Sequence, residues 1–124
     1  MQQEVIIKRT GVQRIAYTFI HSANGFKWLY KNEAAFQQEL MLFVPLTAFA
    51  FWLDLPAMHT LLVLLGMVFV LFAEMINTAI EAVVDRVGLE YHTLSGVAKN
   101  IGSALVLLSM VCSLAVWGTV LWLN

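Results

Sequence analysis

Five polar side chains, Glu74, Asn77, Thr78, Glu81 and Asp85, interrupt the end of a long hydrophobic stretch in the string AEMINTAIEAVVDR. At about 100° per residue, these spacings place all five within an arc of roughly 100° on a helix. An ionisable group at membrane depth costs roughly 2.5–3.5 kcal/mol on insertion scales, so it usually marks a functional site. Two or three carboxylates sharing a stripe with hydrogen-bonding side chains outline a cation-dependent active site. Glu74 and Glu81 are seven residues apart, about 10 Å along the helix axis, too far to grip one ion together. The gap suits a phosphate-sized group, with a metal at Glu81 and Glu74 lying deeper. A stripe that merely glued helices together would normally use Ser, Thr or Asn rather than two glutamates.

Other polar residues lie where they could join this chemistry. Glu33 opens the first apolar run in KNEAAFQQELMLF, and Gln37, Gln38 and Glu39 make a polar step already at membrane depth. The segment RVGLEYHTLSGVAKN brings Glu90, Tyr91, His92, Ser95, Gly96 and Lys99 together and reads as a loop. It has no phosphate-binding glycine motif of the P-loop or protein-kinase kind. Nearer the N-terminus, Arg14 and Ser22 occupy the wet face of an amphipathic stretch and could reach a headgroup or a nucleotide.

Composition requires that membrane elements position these groups. The chain has 124 residues, 60% hydrophobic and 12% charged, where a soluble domain carries about a quarter charged residues. Three runs, at about 34–53, 61–84 and 101–123, approach or exceed the roughly 20 residues a membrane-spanning helix needs. A surface helix is expected over about 10–30, where Val12, Ile15, Ala16, Phe19, Ala23, Phe26 and Tyr30 form an apolar face. The expectation is one membrane domain over 1–124. In the DLP turn at 54–56, Asp54 is expected to cap the next helix, and His59 is expected to be an exposed loop residue.

Cys112, the single cysteine, lies inside the third run, which excludes an internal disulfide and argues against a cysteine-built metal site. The N-terminus lacks the apolar core and small-residue cleavage site of a secretory signal. A net charge of −1 suggests no nucleic-acid partner. Charge distribution says more than its sum. Lys8, Arg9, Arg14, Lys27 and Lys31 precede the first run, and Arg86 and Lys99 lie between the second and third. The positive-inside rule then puts the N-terminus in the cytoplasm and the C-terminus outside.

The strings TGVQRI, NEAAFQQE, WLD, INTAIEAVVDRVG, EYHTLSG and AKNIGSA resemble, in order and spacing, the prokaryotic integral-membrane diacylglycerol kinases. The resemblance covers roughly residues 10–123, and EYHTLSG and GSA look like the diacylglycerol branch rather than the related undecaprenol kinases. It implies an all-α homotrimeric bundle in the bacterial inner membrane, with three spans and a surface helix per subunit. It also implies Mg²⁺ as the metal, with ATP phosphorylating diacylglycerol to phosphatidic acid.

Carried over by position, Glu74 would be the base and Glu33 and Glu81 the metal ligands. The nucleotide would meet Arg14, His21, Glu33, Glu81, Glu90, Tyr91, His92, Lys99 and Asn100. The lipid would meet Arg14, Ser22, Ala35, Phe36, Glu39, Trp52, Glu74 and Ser103, with Asn77 and Asp85 in support. The chain departs from the family pattern at His21, often tyrosine, at Lys27 and Gln37, usually arginine, and at Asn100, usually aspartate.

Two other readings use some of the same residues. Undecaprenol is the rival lipid. A small proton-coupled transporter also uses a membrane glutamate, but it needs no carboxylate pair near one membrane face and usually has four spans.

Overall fold

A computed structural model describes residues 7–124 as four α-helices, with no strand among them. The chain divides into two compact units, one ending at Asn32 and the other running from Glu33 to Asn124.

The first unit carries α1, Gly11–Asn32. Its apolar stripe of Val12, Ile15, Phe19 and Phe26 is exposed. The Thr18 and Ser22 hydroxyls each donate to the carbonyl four residues back, of Arg14 at 2.9 Å and of Thr18 at 2.8 Å, which satisfies them within the helix. Gly11 enters the helix at φ +66°, a left-handed conformation that disfavours any residue with a Cβ.

The second unit holds α2 (Ala34–Trp52), α3 (Ala57–Val87) and α4 (Thr93–Leu123), each long and apolar enough to cross a membrane. Pro45 lies within α2 and does not end it. The turn after α2 uses Asp54 differently from the expectation. Asp54 adopts φ +52° and makes the left-handed corner, while Pro56 takes the N-cap position of α3. Asp tolerates this region better than most residues because its short side chain can bond locally. His59 belongs to the first turn of α3 rather than to a loop, with Nδ1 2.8 Å from the Asn124 amide nitrogen.

α3 packs along α4 and, over a shorter length, against α2. Small residues set the α3–α4 spacing. A Cβ on Gly66 would sit 3.3 Å from Ser113 Oγ, and one on Gly102 would overlap the Asn77 side-chain oxygen. Both contacts recur eleven residues apart on their helices, so α3 and α4 run antiparallel in step. Such close approach is how helices gain packing energy where lipid supplies no hydrophobic drive.

The buried face of α3 changes character along its length. Val63, Met67, Val70 and Ala73 are apolar, and Glu74, Asn77 and Thr78 continue the same face as polar groups. The apolar core of Ala50, Val63 and Val120, with Val116 and Trp117 against it, closes the end of the unit near the Asp54 turn. Both long helices also run past the expected spans. Only Gly88–His92 separates them, because α4 starts at Thr93 instead of near Ile101. Their end turns are polar, and a helix needs no apolar composition to continue through them.

Candidate active site

The polar end of the second unit is built from the α2 N-terminus, the last third of α3 and the start of α4. Glu33 is the N-cap residue of α2, in extended conformation, and its side chain makes no cap hydrogen bond. Its carboxylate is therefore available for other chemistry. Glu39, less than two turns into α2, is 7% exposed, and Glu74 on α3 is 5% exposed. Glu39, Glu33 and Glu81 all lie close enough to Glu74 to act on it coulombically. Three carboxylates thus gather around a buried fourth.

Asn77 organises the α3 side of this cluster. Its amide nitrogen donates to Glu81 Oε1 at 3.2 Å, and its oxygen lies over Gly102, where only a glycine leaves room. One turn further along, Asp85 accepts from Lys99 Nζ at 2.8 Å, tying α3 to α4 at an exposed site. Glu39 Oε2, Asn77 Oδ1 and Thr78 Oγ1 are buried and have no hydrogen-bond partner. Orphaned polar atoms in apolar surroundings are costly, which makes these three ready to bond water or a ligand.

The remaining expected residues fall into distinct places. His92 is the N-cap of α4, where Nδ1 accepts the Leu94 backbone N–H at 3.1 Å. The Glu90 carboxylate folds back towards Gly88, while Tyr91, Asn100 and Ser103 are exposed. Phe36 is buried beside the cluster on α2 and Ala35 is half-buried. Trp52 is not brought to the cluster. It stacks on Phe49 at the other end of α2, about 20 Å along the axis from Glu39 at 1.5 Å per residue. Arg14 and His21 line a cleft within the first unit, and Ser22 stands one helical turn from Thr18.

Reading the sequence alone misses three features. Gly102 as the floor under Asn77 depends on helix register. Thr78 is visible in the stripe, but nothing there marks its hydroxyl as buried and unpartnered. Lys8, Arg9 and Tyr17 join Arg14 only because the chain turns back at Gly11.

The donor set favours a hard cation. Carboxylate oxygens are what Mg²⁺ prefers, and it usually binds through one or two carboxylates plus phosphate oxygens and water. Among the described residues no three acidic, histidine or cysteine side chains are close enough to cage a metal ion. The site therefore fits Mg²⁺ only as an ion shared with a phosphate substrate.

These features define an integral-membrane helical protein with an acid cluster cut into one end of its bundle. The family model for prokaryotic diacylglycerol kinase matches residues 20–121. The chain is 42% identical to the diacylglycerol kinase of Escherichia coli strain K12 over 113 residues, covering 91% of this chain and 93% of the relative. It is 39% identical to the Pseudomonas aeruginosa diacylglycerol kinase, covering 91% and 92%, and 36% identical to the Haemophilus influenzae one, covering 93% and 98%. The chain belongs to the prokaryotic diacylglycerol kinase family, and so to the lipid kinases.

Proposed function

We propose that this protein transfers the γ-phosphoryl group of ATP to diacylglycerol, forming phosphatidic acid at the cytoplasmic face of the bacterial inner membrane. One observation carries the reading: three carboxylates surround a buried fourth, Glu74, beside buried polar atoms that lack partners. The relatives named above are diacylglycerol kinases, which supports the substrate.

Glu74 accepts the proton of the lipid's free hydroxyl. That oxygen bonds to the γ-phosphorus as the bond to the β,γ-bridging oxygen breaks, and ADP leaves. Phosphoryl transfer asks a protein mainly for positioning and charge neutralisation, which suits a site with one base and several fixed polar groups. Mg²⁺, when bound, neutralises phosphate charge. Glu33 and Glu81 are the residues that would hold it, with Asn77 fixing the Glu81 carboxylate by its hydrogen bond.

Glu90, Tyr91, His92, Lys99 and Asn100 serve the nucleotide on this unit, and Arg14 and His21 serve it from α1. Lys99 does so while paired with Asp85. Ala35, Phe36, Glu39 and Ser103 border the lipid's polar end, with Arg14 and Ser22 contributing from α1. Trp52, at the far end of α2, meets its acyl chains. Neighbouring copies in a homotrimer satisfy the orphaned Glu39, Asn77 and Thr78 atoms that substrate does not reach. The N-terminus lies in the cytoplasm, as the Lys and Arg distribution favours.

The test incubates purified protein in mixed micelles with labelled ATP and magnesium, and with diacylglycerol or undecaprenol in parallel. Label is expected in phosphatidic acid. Label only in undecaprenyl phosphate would reassign the substrate, and label in neither lipid would overturn the reading.

A further inference from the structure

One threonine in the last third of α3 keeps its hydroxyl unused. Hydroxyls on helices usually bond back to a carbonyl of the preceding turn. In the same helical unit, Thr47 donates to the Phe43 carbonyl at 2.8 Å and Ser109 to the Val106 carbonyl at 2.6 Å. Thr78 does not follow them. It is 6% exposed, and among the described residues its Oγ1 is the only fully buried hydroxyl oxygen without a hydrogen-bond partner. An unmade bond of this kind is costly, which points to a ligand that completes it.

Position along the helix says which ligand. Thr78 lies four residues after Glu74 and three before Glu81, about 6 Å and about 4.5 Å along the axis. Its hydroxyl therefore belongs to the gap between the proposed base and the proposed metal ligand, where the phosphoryl group has to pass. The carboxylates of this cluster, when ionised, only accept hydrogen bonds. Asn77 directs its amide nitrogen at Glu81. Thr78 is the neutral donor left on the stripe.

We infer that Thr78 is a further catalytic residue, its hydroxyl donating to an oxygen of the γ-phosphoryl group as that group passes from ATP to diacylglycerol. The inference rests on the kinase reading above, which gives Thr78 no part in the reaction. A fixed donor in buried surroundings stabilises the negative charge on the phosphoryl oxygens without having to reorient. Thr78 forms no covalent bond and keeps its own proton, while Glu74 takes the one the lipid gives up.

The test compares Thr78→Val, Thr78→Ser and Thr47→Val with the unaltered chain, in mixed micelles with labelled ATP, magnesium and diacylglycerol. Valine keeps the branched shape of threonine and deletes the hydroxyl. The kcat of Thr78→Val is expected to fall roughly 10–100-fold, with both KM values and the magnesium concentration for half-maximal rate within about twofold of the parent. Thr78→Ser is expected to recover most of the lost rate. Thr47→Val, whose hydroxyl serves its own helix, is expected to keep kcat within about twofold. Without substrate, Thr78→Val should resist unfolding at least as well as the parent, because the deleted hydroxyl has no partner to lose.

An unchanged kcat in Thr78→Val would overturn the inference and leave the kinase reading intact. So would a Thr78→Val protein that unfolds more easily, since a neighbouring copy would then be holding the hydroxyl. A raised magnesium requirement would make Thr78 a metal ligand instead, and equal slowing by Thr47→Val or no recovery in Thr78→Ser would show that the hydroxyl itself is not what matters. If the unaltered chain labels no phosphatidic acid, the kinase reading fails and takes this inference with it.

Discussion

Residues 7–32 and the helical unit after them handle charge in opposite ways. The first hold five of the seven Lys and Arg, almost all exposed. The second holds seven of the eight Asp and Glu and buries two of them, Glu39 and Glu74. Exposed cations on a surface helix recognise anions cheaply, because water solvates them until a ligand arrives, and salt screens them. Buried acids are expensive and persist only where surrounding structure and substrate compensate them. Binding should therefore be tunable in the first region, and turnover should be fragile in the second.

The largest expected effect tests that fragility. Glu74→Gln keeps shape and hydrogen bonding but cannot take a proton, so kcat should fall by roughly 10²–10⁴-fold while the protein still assembles. Turnover near the unaltered rate, in protein shown intact by size exclusion, would remove Glu74 from the chemistry.

Gly102→Ala touches no acid and should still damage the acid region. The new Cβ overlaps the Asn77 oxygen, so α4 must retreat or Asn77 must release Glu81. Overpacking of this kind costs about 1–3 kcal/mol, readable by unfolding in mixed micelles. The magnesium concentration for half-maximal rate should rise in step. A variant as stable as the parent with unchanged magnesium dependence would show that the contact does not position Glu81.

Asn100→Asp is a smaller change at an exposed position. A charge-assisted hydrogen bond contributes about 1.5–3 kcal/mol against about 1 for a neutral one, so the ATP KM should drop a few-fold with kcat nearly constant. A large kcat change at constant KM would move Asn100 into the chemical step. Smallest of all should be Asp85→Asn. The Lys99–Asp85 pair is exposed, where water and salt screen it, so the unfolding midpoint should barely move. A larger loss would mark this pair as the main clamp between α3 and α4.

The spans and the stripe were legible because each is a pattern along the chain. A run of apolar residues needs no partner to be recognised, and the 74–85 spacing already fixes which side chains share a face. What depended on a second helix was not legible. The contacts of Gly66 with Ser113 and of Asn77 with Gly102 are set by register, which no local pattern encodes. The segment before Ile101 looked like a loop because its residues are polar. In the structure Thr93 to Asn100 is helix, capped by His92. The gathering of Lys8 and Arg9 with Tyr17 hinges on the backbone sign at Gly11, and a glycine permits that conformation without announcing it.

The unequal lengths of the helices carry one more consequence. α2 has 19 residues, about 28 Å of helix, close to the roughly 30 Å of a bilayer's hydrocarbon core. α3 and α4 have 31 residues each, about 46 Å, and can project beyond it. The shortest helix is thus the gauge of membrane thickness, and it carries Glu33 and Glu39 at one end. Thicker bilayers stretch the match at α2 first, drawing its acids below the headgroups while those of α3 keep some reserve of length. Acyl-chain length of the host membrane then becomes a control on how well the two halves of the acid cluster align, by hydrophobic mismatch rather than by any contact with the lipid being phosphorylated.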